Sequence, residues 1–181
     1  MKLVLLFAIF AAPVVLAYAM HFFWKPTRFS NYGALIPPTP VREGVMTDDR
    51  GRPFAFSDLK GKWVLVHADV AACPPACIEK LYIMRQVRTA QGDDQARIER
   101  LWLVSDDGPL NPKALAEYAG TRIVRVRDAA INVQFPAPHG IERHIFLVDP
   151  LGNLMMRYPP DPDASRVLKD LKRLLRVSQI G

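Results

Sequence analysis

From Trp63 to Val70 the chain reads WVLVHADV, an almost unbroken apolar and β-branched run. Such a run predicts a central strand of a parallel sheet, covered on both faces. A short loop follows with Cys73, Pro74, Pro75, Ala76 and Cys77, and from Ile78 to Arg88 the apolar positions take helical spacing. Pro74 suits a first helical residue, which needs no N–H donor, so Cys73 is placed near the N-cap. Leu101–Ser105 predicts a second buried strand, and Asn111–Ala119 a helix capped by Asn111 with Pro112 in its first turn. Ile123–Val126 predicts a third strand and His144–Val148 a fourth. DPLGN at 149–153 then makes a turn, Leu154–Tyr158 its hairpin partner, and Asp163–Val177 a basic amphipathic helix. Val45–Phe56, split by DDRG, predicts a short β-hairpin, and residues 128–142 receive no element.

This order predicts an α/β fold of thioredoxin-like type, a mixed central sheet flanked by helices with the reactive loop after the first central strand. Ahead of it, Leu3 to Trp24 is apolar apart from Pro13 and His21, long enough for a transmembrane helix. Ala17, Tyr18 and Ala19 resemble a signal-peptidase site, but the long apolar core and the cluster Phe22, Phe23, Trp24 favour a retained anchor. Lys2 on one flank is offset by Lys25 and Arg28 on the other, so charge assigns no orientation. Thr27–Val41 holds three prolines without periodicity and reads as a spacer. The expected organisation is a transmembrane anchor at 1–25, an extended linker at 26–41 and the folded domain at 42–181.

A net charge of +6 is spread over the domain and its last helix, with no run of five or more basic residues. It predicts a solvated surface rather than a nucleic-acid partner. The two cysteines have three residues between them and would make a poor structural staple, because closing so small a loop constrains the unfolded chain little. A helix N-terminus favours thiolate over thiol, so the pair reads as reactive or metal-binding, set where solution can reach it. His67 shares a strand face with Trp63, Leu65 and Asp69, and can pair with Asp69 or sit in the core with one satisfied hydrogen bond. Met155 and Met156 point to opposite faces and are read as packing.

LKGKWVLV, the CxxxC at the strand–helix junction, LVSDD, ALAEYAG and the terminal IFLVDPLGN hairpin together resemble the Sco/SenC proteins over Gly51 to Val177. These are membrane-anchored, thioredoxin-fold copper chaperones that assist assembly of the binuclear copper centre of cytochrome c oxidase. The chain also resembles the Sco-like transmembrane proteins found among proteobacterial oxidase-assembly genes. The resemblance implies a single-pass inner-membrane protein with its domain in the periplasm, and an oxidase subunit or another copper-assembly factor as partner. It implies copper held by Cys73, Cys77 and a histidine. The family's histidine position falls on Ile141, so His144 becomes the expected third ligand, with His139 the alternative. Where thioredoxins keep a buried acid beneath the second cysteine this chain has His67, a residue type able to take and give a proton. A thiol–disulfide oxidoreductase with Cys73 as nucleophile and Cys77 resolving, and a non-catalytic assembly scaffold, stand as the other readings. Arg143 occupies the place of the thioredoxin cis-proline, and the family's acidic loop survives only as Asp106, Asp107, Gly108.

Overall fold

The computed structural model describes residues 2–23, 31–127, 133–178 and 180, with residues 2–6 and 23 without their side chains. It divides into two units, at residues 1–30 and 31–181. In the first, helix α1 (Lys2–Phe23) is apolar almost throughout, with Pro13 inside it. Among the described residues no helix is long and apolar enough to cross a membrane. Trp24 of the expected interfacial cluster lies outside the described residues.

The second unit is built on one seven-stranded sheet. Its strands are β1 (Ala34–Pro40), β2 (Met46–Asp48), β3 (Trp63–Asp69), β4 (Ile98–Val104), β5 (Arg122–Val126), β6 (Phe146–Val148) and β7 (Asn153–Arg157), ordered β1-β7-β6-β3-β4-β5-β2. β3, β4 and β5 are parallel, and the β6–β7 hairpin runs antiparallel beside β3. Every residue of β3 is buried, as a strand covered on both faces must be. One face carries Trp63 and Leu65 against α2 (Pro75–Thr89) and α4 (Ala164–Val177), through Ile83, Met84, Val87, Val167, Leu171 and Leu175. The other carries Val64, Val66 and Ala68 against Phe54, Phe56, Leu59 and Phe135. Each apolar side chain of this size, fully buried, contributes about 1.5–3 kcal/mol. α3 (Pro112–Glu117) is capped by the Asn111 side chain, which accepts from Lys113 N and Ala114 N, and α4 by Asp163, which accepts from Arg166 N.

Three expectations change. The stretch taken as part of a linker holds strand β1, which pairs antiparallel with β7, so the folded unit takes in residues well before 42. Prolines were the misleading signal. β1 is an edge strand, where missing N–H donors cost little, and its register is interrupted between Leu35 and Thr39, around Pro37 and Pro38. Val45–Phe56 is a hairpin only in outline: β2 pairs with β5 at the far edge, and a single bridge joins Thr47 to Pro53. Helix α2 starts one residue later than expected, with Pro74 at the N-cap.

The start of the domain is fastened to α4. Asp170 Oδ2 accepts from Tyr32 N at 2.8 Å and Gly33 N at 2.9 Å. The Tyr32 hydroxyl accepts from Asp163 N at 3.0 Å, and the Arg166 guanidinium sits 4.0 Å above the Tyr32 ring. A Cβ at Gly33 would collide with the buried Met156 side chain, which would have to move to admit it.

Candidate functional site

The site forms where β3 ends. Cys73 N donates to Val70 O at 3.0 Å, and Cys73 takes the left-handed backbone region, φ 42°. Such a conformation in a non-glycine residue is held by its surroundings. Here the segment after β4 holds it: Asp106 Oδ1 accepts from Ala71 N at 2.7 Å, and Asn111 Nδ2 donates to Ala72 O at 2.9 Å and Cys73 O at 3.3 Å. Arg125 steadies that segment by donating to Asp106 O and Gly108 O. The shortened acidic loop and the α3 cap are thus the braces of the cysteine loop. Asn111-Pro112 was readable as a cap, but nothing in the local pattern pointed to its second task.

Cys73 and Cys77 form a disulfide with Cα atoms 5.1 Å apart. The sulfurs are less accessible than expected: Cys73 is 2% and Cys77 0% exposed, packed with Leu81, Trp102 and Tyr118. Ala72, Pro74, Pro75 and Ala76 form an exposed lip over them. Of the two residues Cys77 is the more completely buried.

His67 lies fully buried one face-turn back along β3. Its Nδ1 is 3.0 Å from His144 O, a carbonyl that only accepts, so Nδ1 carries the hydrogen. In the neutral ring Nε2 is then a bare lone pair, and it has no hydrogen-bond partner. Asp69 Oδ2 lies 3.7 Å from Nε2, beyond hydrogen-bonding reach. Ligand atoms of His67, Asp69 and Cys77 all lie within 4.8 Å of one another.

The expected third ligand is placed elsewhere. His144 Nδ1 faces Tyr158 O at 2.8 Å and its Nε2 faces Pro138 O at 3.0 Å. Neither nitrogen is available to an ion while those contacts hold. His144 instead supplies the carbonyl that orients His67. His139 stands in a turn with φ 69° and belongs to no metal-ligand group among the described residues. Among the described residues the convergent group is thus His67, Asp69 and Cys77, with Cys73 bonded to Cys77, and neither His144 nor His139 belongs to it.

A family model described as "Transmembrane-like, thioredoxin-like, C-terminal domain" matches residues 63–178, from the first residue of β3 through the last helix. The chain belongs to this family. Among curated proteins, the mitochondrial protein SCO2 of Saccharomyces cerevisiae is 30% identical over 74 residues, 40% of this chain and 25% of that one. The match thus spans about a quarter of that relative's length. Yeast Sco1 with copper bound superposes with a TM-score of 0.62 at 15% identity, over 77% of this chain and 96% of that one. The thioredoxin domain of a thiol-disulfide oxidoreductase from Bacteroides vulgatus superposes at 0.59 and 18% identity, over 78% of this chain and 99% of that one. The transmembrane-like, thioredoxin-like domain thus has the fold of the Sco proteins and of an oxidoreductase alike, and the resemblance to the Sco/SenC proteins stands on sequence as well as on fold.

Proposed function

We propose that this chain is a membrane-tethered, periplasm-facing assembly factor for cytochrome c oxidase, whose Cys73–Cys77 pair cycles between dithiol and disulfide and carries copper as cargo when reduced. The carrying observation is the unpartnered Nε2 of His67 beside Cys77. A buried polar atom left without a partner is a cost the fold does not bear idly. The tether is supported by the apolar composition of α1 and by its exposed Phe7, Ile9, Phe10, Val14, Val15 and Leu16.

In the reducing direction Cys73, nearer the lip, attacks one sulfur of a partner disulfide and forms a mixed disulfide as the partner's other sulfur leaves. Cys77 then gives its proton to His67 Nε2 and attacks Cys73 Sγ. The S–S bond between Cys73 and Cys77 forms, and the partner departs with both thiols reduced. Two electrons pass to the partner. The donor set suits copper as well: two thiolates and an imidazole favour Cu(I), and of the histidines it is His67, in place of the expected His144, that offers a free nitrogen.

The test uses the reduced full-length chain in detergent, titrated with Cu(I) against a competing chelator. It also uses mixing with a peptide that carries an oxidised copper-ligand cysteine pair. Stoichiometric Cu(I) lost in Cys73→Ser and Cys77→Ser supports the proposal. Weak Cu(I) binding with rapid mixed-disulfide formation favours the oxidoreductase reading, which the disulfide itself recommends. Neither activity overturns both and leaves the scaffold.

A further inference from the structure

The redox cycle employs Cys77 and His67 and leaves the Asp69 carboxylate without a task. Asp69 is 8% exposed, and its Oδ1 accepts from Val70 N at 2.7 Å. Its Oδ2 faces His67 Nε2 at 3.7 Å, too far for a shared proton. With the ring neutral, two electron-pair donors thus face one another inside the protein at a separation longer than a hydrogen bond, and Cys77 Sγ lies within 4.8 Å of both. Only a positive charge makes that arrangement favourable.

We propose that reduction of the Cys73–Cys77 disulfide opens a site for a borderline divalent cation, zinc in the first instance, held by Cys77 Sγ, His67 Nε2 and Asp69 Oδ2. Thiolate, imidazole and carboxylate are the ligand types of zinc, and tetrahedral zinc spaces such atoms by roughly 3.3–3.6 Å. The His67–Asp69 separation is already close to this. The carboxylate is what distinguishes the site from a copper-carrying pair, because a hard oxygen contributes little to Cu(I). In the disulfide, Cys77 Sγ carries no charge and is bonded to Cys73, so the site is closed. A dithiol donor opens it: the donor loses two electrons and two protons as its own disulfide forms, the Cys73–Cys77 bond breaks, and each sulfur gains a proton. Zinc then displaces the Cys77 proton to solvent and keeps that sulfur from re-forming the disulfide. The inference rests on the redox reading of the pair only in needing the disulfide to be reducible.

The test is a Zn²⁺ titration of the full-length chain in detergent against a chromophoric chelator, with Co²⁺ as an optical probe of thiolate ligation. The reduced protein binds one equivalent and the oxidised protein none. His67→Asn keeps a donor toward His144 O while removing Nε2, and Asp69→Asn keeps the acceptor for Val70 N. Removing a ligand in His67→Asn or Cys77→Ser weakens binding by about a hundredfold or more, since even outer-shell partners are worth tens of fold. Cys73→Ser cannot form the disulfide and binds Zn²⁺ without any reductant, although it loses Cu(I). Affinity unchanged in both His67→Asn and Asp69→Asn, or no binding by the reduced protein, overturns the zinc site. Cu(I) binding that persists in that case leaves the parent reading intact, whereas loss of Cu(I) binding and disulfide exchange together removes that reading as well.

Discussion

The imidazole of His67 donates through Nδ1 to the main-chain carbonyl of His144, 3.0 Å away and far along the chain. One histidine thereby sets the tautomer of the other. The ring of His144 turns away and is held between Tyr158 O and Pro138 O. Side chain and main chain of one residue thus do separate work: the carbonyl meets His67, and the ring meets Tyr158 O and Pro138 O.

His144→Ala is therefore expected to behave as a stability variant. It removes the one hydrogen bond that a neutral ring can donate to these carbonyls while keeping the main-chain carbonyl that His67 needs, at a cost of about 1–2 kcal/mol. A urea midpoint lowered accordingly, with unchanged metal stoichiometry at the cysteines, is the expected result. Loss of metal with no loss of stability would restore His144 as a ligand.

Reducing the disulfide is expected to lower stability only modestly. Closing a loop of a few residues is worth about 2 kcal/mol in the chain-entropy account. Denaturant unfolding with and without a dithiol measures the difference. A loss several times larger would mark the bond as a structural staple and speak against a cycling pair.

Tyr158 gives the protein an alkaline limit. Its hydroxyl is buried without a partner, and burial, reinforced by the Asp170 charge, pushes the phenol well above its ordinary value. The folded state thus holds this proton more tightly than the unfolded chain. The contribution is complete below pH 10 or so and is lost above it at about 1.4 kcal/mol per pH unit. Tyr158→Phe is expected to keep stability at pH 7 within about 1 kcal/mol, because no hydrogen bond is given up, and to flatten the decline above pH 10. An equally steep alkaline loss in Tyr158→Phe would assign the limit elsewhere.

A chain cut at Arg42 is expected to fold poorly, and one cut at Asn31 to unfold cooperatively like the whole domain. The first lacks β1 and both amides held by Asp170, a loss of about 3 kcal/mol or more from those charge-assisted bonds alone. Asp170→Ala in the longer chain should reproduce much of the deficit in urea. Equal stability of the two cut chains would return residues 34–40 to the role of spacer.

Much of the candidate site was visible before folding was considered. The cysteine spacing, its place between a buried strand and a helix, and His67 six positions earlier on that strand all lie within one continuous stretch, where local periodicity decides which face a residue takes. The choice between His144 and His67 as the available nitrogen was not visible. It turns on carbonyls of residues 138 and 158, which meet the ring only in the folded chain.

The chain's own pattern determined the order of strands and helices from β3 onward, the cap at Asn111, and the cysteine pair at the end of β3, since each is a matter of neighbours a few residues apart. Tertiary structure alone decided that a proline-rich stretch closes one edge of the sheet and that the sulfurs sit beneath a lip. It alone decided that Asp69, His67 and Cys77 converge while His144 faces away. These depend on which distant backbone groups arrive beside a side chain, and a polar group in a low-dielectric interior takes its role from the partners it finds there.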